Sequence, residues 1–219
     1  MILGTLMTVN NGTLNIFDRV YLDSGSYVPH LRDPRKELIP IAKNFRSLSK
    51  CGGDIICLRN MPAKELLKLS IAANDMTYSP FSSSYAPVVD GEYIAQQTYA
   101  LLAAGKFSKI PMLISTSHDE GQTFISDKTV SKHVFDAIFE TFDHEALVNV
   151  SQMYQGSGSQ EKLAMIVADY TFNCPARYFA QTWLNSGLYV VKLHFKHSIS
   201  LLGLFYNKLK VAHGSDLPV

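Results

Sequence analysis

Three short apolar runs, separated by long stretches of helical periodicity, constrain this chain more than any other feature. The first, residues 16–23, carries Phe17, Val20, Tyr21 and Leu22 and stops at Ser24-Gly25-Ser26, residues that end a strand in a turn. The second is Ile110-Pro111-Met112-Leu113-Ile114-Ser115, and the third spans residues 188–195. Strands joined through helices pair in parallel, because a crossover returns the chain to the starting end of the sheet. The expected fold class is α/β in one unit, since no repeat or linker divides the 219 residues.

The intervening segments read as helices with recognisable ends. Asp33 caps and Pro34 opens one helix, with Leu38, Ile41, Ala42, Phe45 and Leu48 on one face and Gly52-Gly53 beyond its end. Pro62 starts another, containing Leu66, Leu67, Leu69 and Ile71, and a polar, serine-rich loop follows over residues 74–84. A third helix is expected over residues 92–104, closing at Gly105. Helical patterns dominate residues 128–185, with breaks expected near Asp143, Gly156-Ser157-Gly158 and Cys174-Pro175.

Bulk properties exclude several classes. The formal net charge is +1 with Lys and Arg spread along the chain, so no electrostatic footprint for nucleic acid or an anionic membrane exists. No run approaches the roughly 18 apolar residues of a membrane span, and residues 1–7, though apolar, lack the basic lead and cleavage pattern of a signal peptide. Cys51 and Cys57 lack the spacing and histidine partners of a zinc site. Their spacing fits a short disulfide loop in an oxidising compartment and three reduced cysteines equally well, with Cys174 expected as a buried thiol. Asn11-Gly12-Thr13 and Asn149-Val150-Ser151 match the N-glycosylation pattern and lean the compartment outward.

Chemistry concentrates at two places. Ser117-His118-Asp119-Glu120-Gly121 follows the second strand, at the end where open α/β sheets place ligands and catalytic groups. A carboxylate there suits an acid that orients an imidazole and stabilises its protonated form; Glu120 and Asp119 both qualify. The candidate base is His213, in a glycine-containing loop near the C-terminus, and Asp216 beside it reads as a turn residue. A nucleophile is harder to find, because no G-x-S-x-G segment occurs. Ser24 lacks the flanking glycines of a nucleophile elbow, and Ser117 and His118 sit too close in sequence to Glu120 to aim at one point with it.

Together the segments Phe17-Asp18-Arg19-Val20-Tyr21-Leu22-Asp23-Ser24-Gly25-Ser26, Cys57-Leu58-Arg59, Pro87-Val88-Val89-Asp90-Gly91, Asp119-Glu120-Gly121, Phe172-Asn173-Cys174-Pro175-Ala176-Arg177 and His213-Gly214-Ser215-Asp216-Leu217-Pro218 carry a family resemblance. In this order they resemble the type-B carboxylesterases, cholinesterases and fungal lipases, α/β-hydrolases. The resemblance implies Glu120 as triad acid, His213 as general base and a Cys51–Cys57 loop disulfide. It also implies an apolar ester substrate, no metal or organic cofactor, a pocket lined or covered by residues 45–84, and secretion of the parent protein.

By the same resemblance, residues 1–219 are the C-terminal portion of one catalytic domain, beginning just after the nucleophile segment. The chain alone is then expected to show no esterase turnover and to expose one edge of its first strand. The alternatives are a noncatalytic adhesion or interaction protein on the same fold, or an incomplete gene model. Oligomeric state is not legible.

Overall fold

A computed structural model describes residues 2–27, 31, 38–74, 87–125, 144–154, 158–197 and 211–216. The three apolar runs become β1 (Val20–Asp23), β2 (Met112–Ser117) and β3 (Val190–Phe195). They form one parallel sheet in the order β1-β2-β3, with Met112 opposite Val20 on one side and Val190 on the other. The α/β architecture expected from the sequence is thus present. Each strand begins later than its apolar run, and at β2 the reason is local. Pro111 has no N–H to offer a ladder, so it contributes only its carbonyl, which accepts from Val20 N at 3.0 Å.

Alternation along the strands decides what is buried. Val20, Leu22, Met112 and Ile114 turn to one face and pack with Met7, Phe179 and Trp183. The indole N–H of Trp183 donates to the Ile110 carbonyl at 2.7 Å, which satisfies a buried donor and fastens its helix to the start of β2.

The helices are α1 (Ile2–Leu6), α2 (Ile39–Ser49), α3 (Ile55–Asn60), α4 (Ala63–Asn74), α5 (Thr98–Ala103), α6 (His144–Met153), α7 (Ser159–Ala168) and α8 (Cys174–Asn185). Four details depart from the sequence reading. Helix α3 was not expected; it is short and begins where the Asp54 carboxylate accepts from Ile56 N at 2.8 Å. The helix expected over residues 92–104 is only α5, because the Asp90 carboxylate draws the amides of Glu92 and Ile94 into a turn instead. No break falls at Cys174-Pro175: a π-helical turn, Asp169–Asn173, joins α7 to α8 and leaves Pro175 in a first-turn position that needs no N–H. Cys174, expected to be buried, is a free and exposed thiol, since α8 turns Pro175, Ala176, Phe179 and Trp183 inward.

Cys51 and Cys57 form a disulfide with their Cα atoms 5.7 Å apart, linking the end of α2 to α3. Among the described residues no helix is long and apolar enough to cross a membrane. The expected helix start at Asp33-Pro34 and residues 75–84 lie outside the described residues.

Candidate active site

The end of β2 delivers its carboxylate through a tight device. Immediately after Ser117 the chain turns into a 3-10 helix, Glu120–Phe124, whose first side chain is completely buried. An ionised carboxylate without solvent demands hydrogen-bond donors, and Glu120 has them. Its Oε1 accepts from Ser117 N at 2.6 Å and from Ser24 Oγ at 2.7 Å. Its Oε2 lies 2.6 Å from His213 Nδ1. Three elements therefore converge on one carboxyl group: the end of β1, the end of β2 and the loop bearing His213.

His213 is held by contact as well as by charge. Phe172, from the π-helical turn, and Phe124, from the 3-10 helix, place their ring centroids 4.9 and 5.5 Å from the imidazole. The side chain keeps 36% of its surface exposed, so it is reachable from solvent. The hydrogen bond to Glu120 is the largest influence on its pKa and raises it; burial opposes, and Asp216 and Asp23 add to the rise. With Nδ1–H donated to the carboxylate, Nε2 is the nitrogen left to take a proton. That tautomer is the one a general base requires.

The two carboxylates that sequence order could not separate have different jobs. Glu120 meets the imidazole. Asp119 turns the other way: its Oδ2 accepts from Val211 N at 3.0 Å and its Oδ1 lies 3.1 Å from His118 Nδ1. His118 leans toward His194, with ring centroids 5.6 Å apart, and takes no part in the Glu120 cluster. Asp216 lies in the turn the sequence leads one to expect, and burial followed by its interaction with Asp23 raises its pKa.

Ser24 is the residue that sequence reasoning undervalued. It ends β1 as the sequence leads one to expect, with a φ of 44°, in the left-handed region that few residues other than glycine adopt. That same backbone kink aims its hydroxyl at Glu120. The available signal was the family-like Asp23-Ser24-Gly25-Ser26 segment, but nothing in spacing alone connects it to a carboxylate 96 positions away. Ser117 contributes its backbone N–H, while its hydroxyl is buried without a partner among the described residues.

A cavity of about 580 Å3 is lined by His118, Asp119, Tyr154, Asp169, Arg177 and His194 among others, and by neither Glu120 nor His213. A smaller one, about 380 Å3, has Tyr27, Tyr154, Tyr170 and Tyr178 in its wall. Residues 45–74 line neither; α2 and α4 pack chiefly on each other. Among the described residues no cluster of three or more His, Cys, Asp or Glu side chains has the arrangement to hold a metal ion. Asn11 is exposed on a turn, and Asn149 is exposed on α6.

A parallel sheet with a buried carboxylate and a histidine loop at its C-terminal end is the framework of an α/β-hydrolase, present here in part. The chain belongs to the carboxylesterase family, whose model matches residues 3–219. Secreted lipase 1 of Botryotinia fuckeliana (strain B05.10) is 25% identical over 236 residues, covering 93% of this chain and 40% of that protein. The acetylcholinesterase of Leptinotarsa decemlineata is 22% identical over 200 residues, covering 78% of this chain and 32% of its own length. The crystal structure of Aspergillus niger EstA superposes with a TM-score of 0.78 at 21% identity, over 99% of this chain and 44% of EstA. The chain thus spans well under half the length of these relatives.

Proposed function

We propose that this chain supplies the acid and the histidine of a Ser-Glu-His triad for carboxylic-ester hydrolysis, with Glu120 as acid and His213 as general base. The observation that carries the reading is the 2.6 Å contact between His213 Nδ1 and a fully buried Glu120 carboxylate. In this role Nε2 of His213 takes the proton of a serine hydroxyl as it attacks the ester carbonyl, then returns it to the leaving alcohol; Glu120 remains ionised and stabilises the imidazolium. The serine and its oxyanion donors belong to a segment outside these 219 residues, and residues 1–219 form the C-terminal portion of one catalytic domain. Esters with a substantial apolar part are the substrate class, in keeping with a lipase and cholinesterases among the relatives.

The test is hydrolysis of p-nitrophenyl butyrate by two proteins. The chain alone is expected to match its own His213→Ala variant; turnover above that control would overturn the placement of the nucleophile elsewhere. A fusion to the nucleophile-bearing segment of an esterase of this family is expected to turn over, and His213→Ala in it to lose roughly a million-fold in kcat. A fusion indifferent to His213→Ala would overturn the triad assignment and favour a noncatalytic interaction role.

Export is part of the same proposal. A disulfide between Cys51 and Cys57 belongs in an oxidising compartment, and one relative is a secreted lipase. Asn11 and Asn149 are then the candidate glycan acceptors, and a glycosidase-sensitive mass shift abolished by Asn11→Gln and Asn149→Gln would establish them.

A further inference from the structure

Residues 119 and 120 hold the same distant loop at two points. Glu120 bonds the His213 ring, and Asp119 bonds the backbone two residues earlier in a double clasp. The Asp119 N–H donates to the Val211 carbonyl at 2.8 Å, and Asp119 Oδ2 accepts the Val211 N–H at 3.0 Å. Val211 and Ala212 are nearly inaccessible, at 6% and 3% exposure, so their backbone groups have little water to turn to if the clasp opens. The clasp joins positions 92 apart, which makes it a long-range anchor whose closure has a substantial entropic cost.

A single hydrogen bond between side chains fixes a distance but leaves the loop free to pivot about it. Two anchors, one on the backbone and one on the ring, remove that pivot. We infer that Asp119 is a positioning residue that mounts the His213 loop so that the imidazole meets Glu120, and that it acts as a hydrogen-bond acceptor rather than as a charge. This inference rests on the triad reading for its functional meaning, but its test does not require turnover. The Asp119 carboxylate is taken up by the Val211 N–H and by His118 Nδ1, and among the described residues it makes no hydrogen bond to the His213 ring. Its effect on the imidazole is therefore mechanical.

The experiment is an NMR titration of the His213 ring in the full chain. Asp119→Asn keeps a side-chain carbonyl for Val211 N–H and is expected to leave the titration as in the wild type. Asp119→Ala removes the acceptor and is expected to bring His213 down toward the ordinary value of about 6.5, as Glu120→Gln does directly. His118→Ala, which removes the other partner of Asp119, is expected to change nothing. A His213 titration unmoved by Asp119→Ala would overturn the inference, and so would an Asp119→Asn variant that behaves like Asp119→Ala. If Asp119→Ala does not fold, Val211→Pro deletes the same donor from the other side and is expected to lower the titration alike; a wild-type titration there would overturn the clasp. Failure of the esterase fusion with this titration pattern intact would count against the triad and not against Asp119.

Discussion

The Glu120 carboxylate shows how much a single buried charge requires of its surroundings. Each donor is a separate contribution, and loss of one leaves a lone pair unsatisfied where water is absent. Ser24→Ala removes the 2.7 Å donor to Oε1 and is expected to destabilise the chain by about 1.5–3 kcal/mol, read as a lowered denaturant midpoint. His213 gives a pH signature whose sign follows from its raised pKa. A histidine that gains a carboxylate partner on folding adds stability in full below its unfolded value, about 6.5, and that increment fades as pH rises through the raised folded value. The stability difference between wild type and His213→Gln is therefore expected to shrink with rising pH across that window. Solvent screening keeps it modest, because the imidazole is partly exposed. Unfolding curves at pH 5.5 and 8.5 check the direction.

At the scale of elements, the site depends on close approach between its 3-10 turn and α7. A Cβ on Gly121 would lie 1.8 Å from the carbonyl oxygen of Ala164 and 3.0 Å from Ala168 N, both backbone atoms that cannot swing aside. Gly121→Ala is expected to push the turn off α7, with a loss of about 1–3 kcal/mol and a lowered His213 titration. Trp183 on α8 fills the core against β2 with no exposed surface. Trp183→Ala is expected to cost about 3–5 kcal/mol in chemical denaturation while leaving the Cys51–Cys57 loop intact. Periodicity made such elements legible: the helix expected to carry Ile41 and Phe45, the one expected to carry Leu66 and Leu69, and the strand ending at Ser24 are α2, α4 and β1. What it missed were local competitions. Asp90 won the amides of Glu92 and Ile94 from a helix, and a π-helical turn carried the chain through Pro175, where a proline rule predicts a stop.

At the scale of the whole molecule, the sheet has β1 at one edge. Among the described residues its only strand partner is β2, and Tyr21 on it is half exposed, as are Ile2 and Ile16 nearby. A strand edge with no strand partner among the described residues invites pairing with another chain. Concentration-dependent association of the isolated chain is expected in sedimentation velocity, and Tyr21→Lys is expected to raise the monomer fraction by placing a charge on that edge. A monomer at all concentrations would mean that the edge is protected.

Sequence by itself determined the class of fold, the three strands, the Cys51–Cys57 candidate pair, His213 as candidate base and the adjacent pair Asp119 and Glu120 as candidate acids. These follow from patterns repeated every two or four residues, or from short motifs, and both survive in one dimension. Only the tertiary structure decided which of two adjacent carboxylates meets the imidazole, because Asp119 and Glu120 differ by the direction their side chains leave a turn. It also decided that Ser24 supports Glu120 and that Val211 is clasped by Asp119. Each of those contacts joins positions more than ninety residues apart, and only folding brings such positions into register.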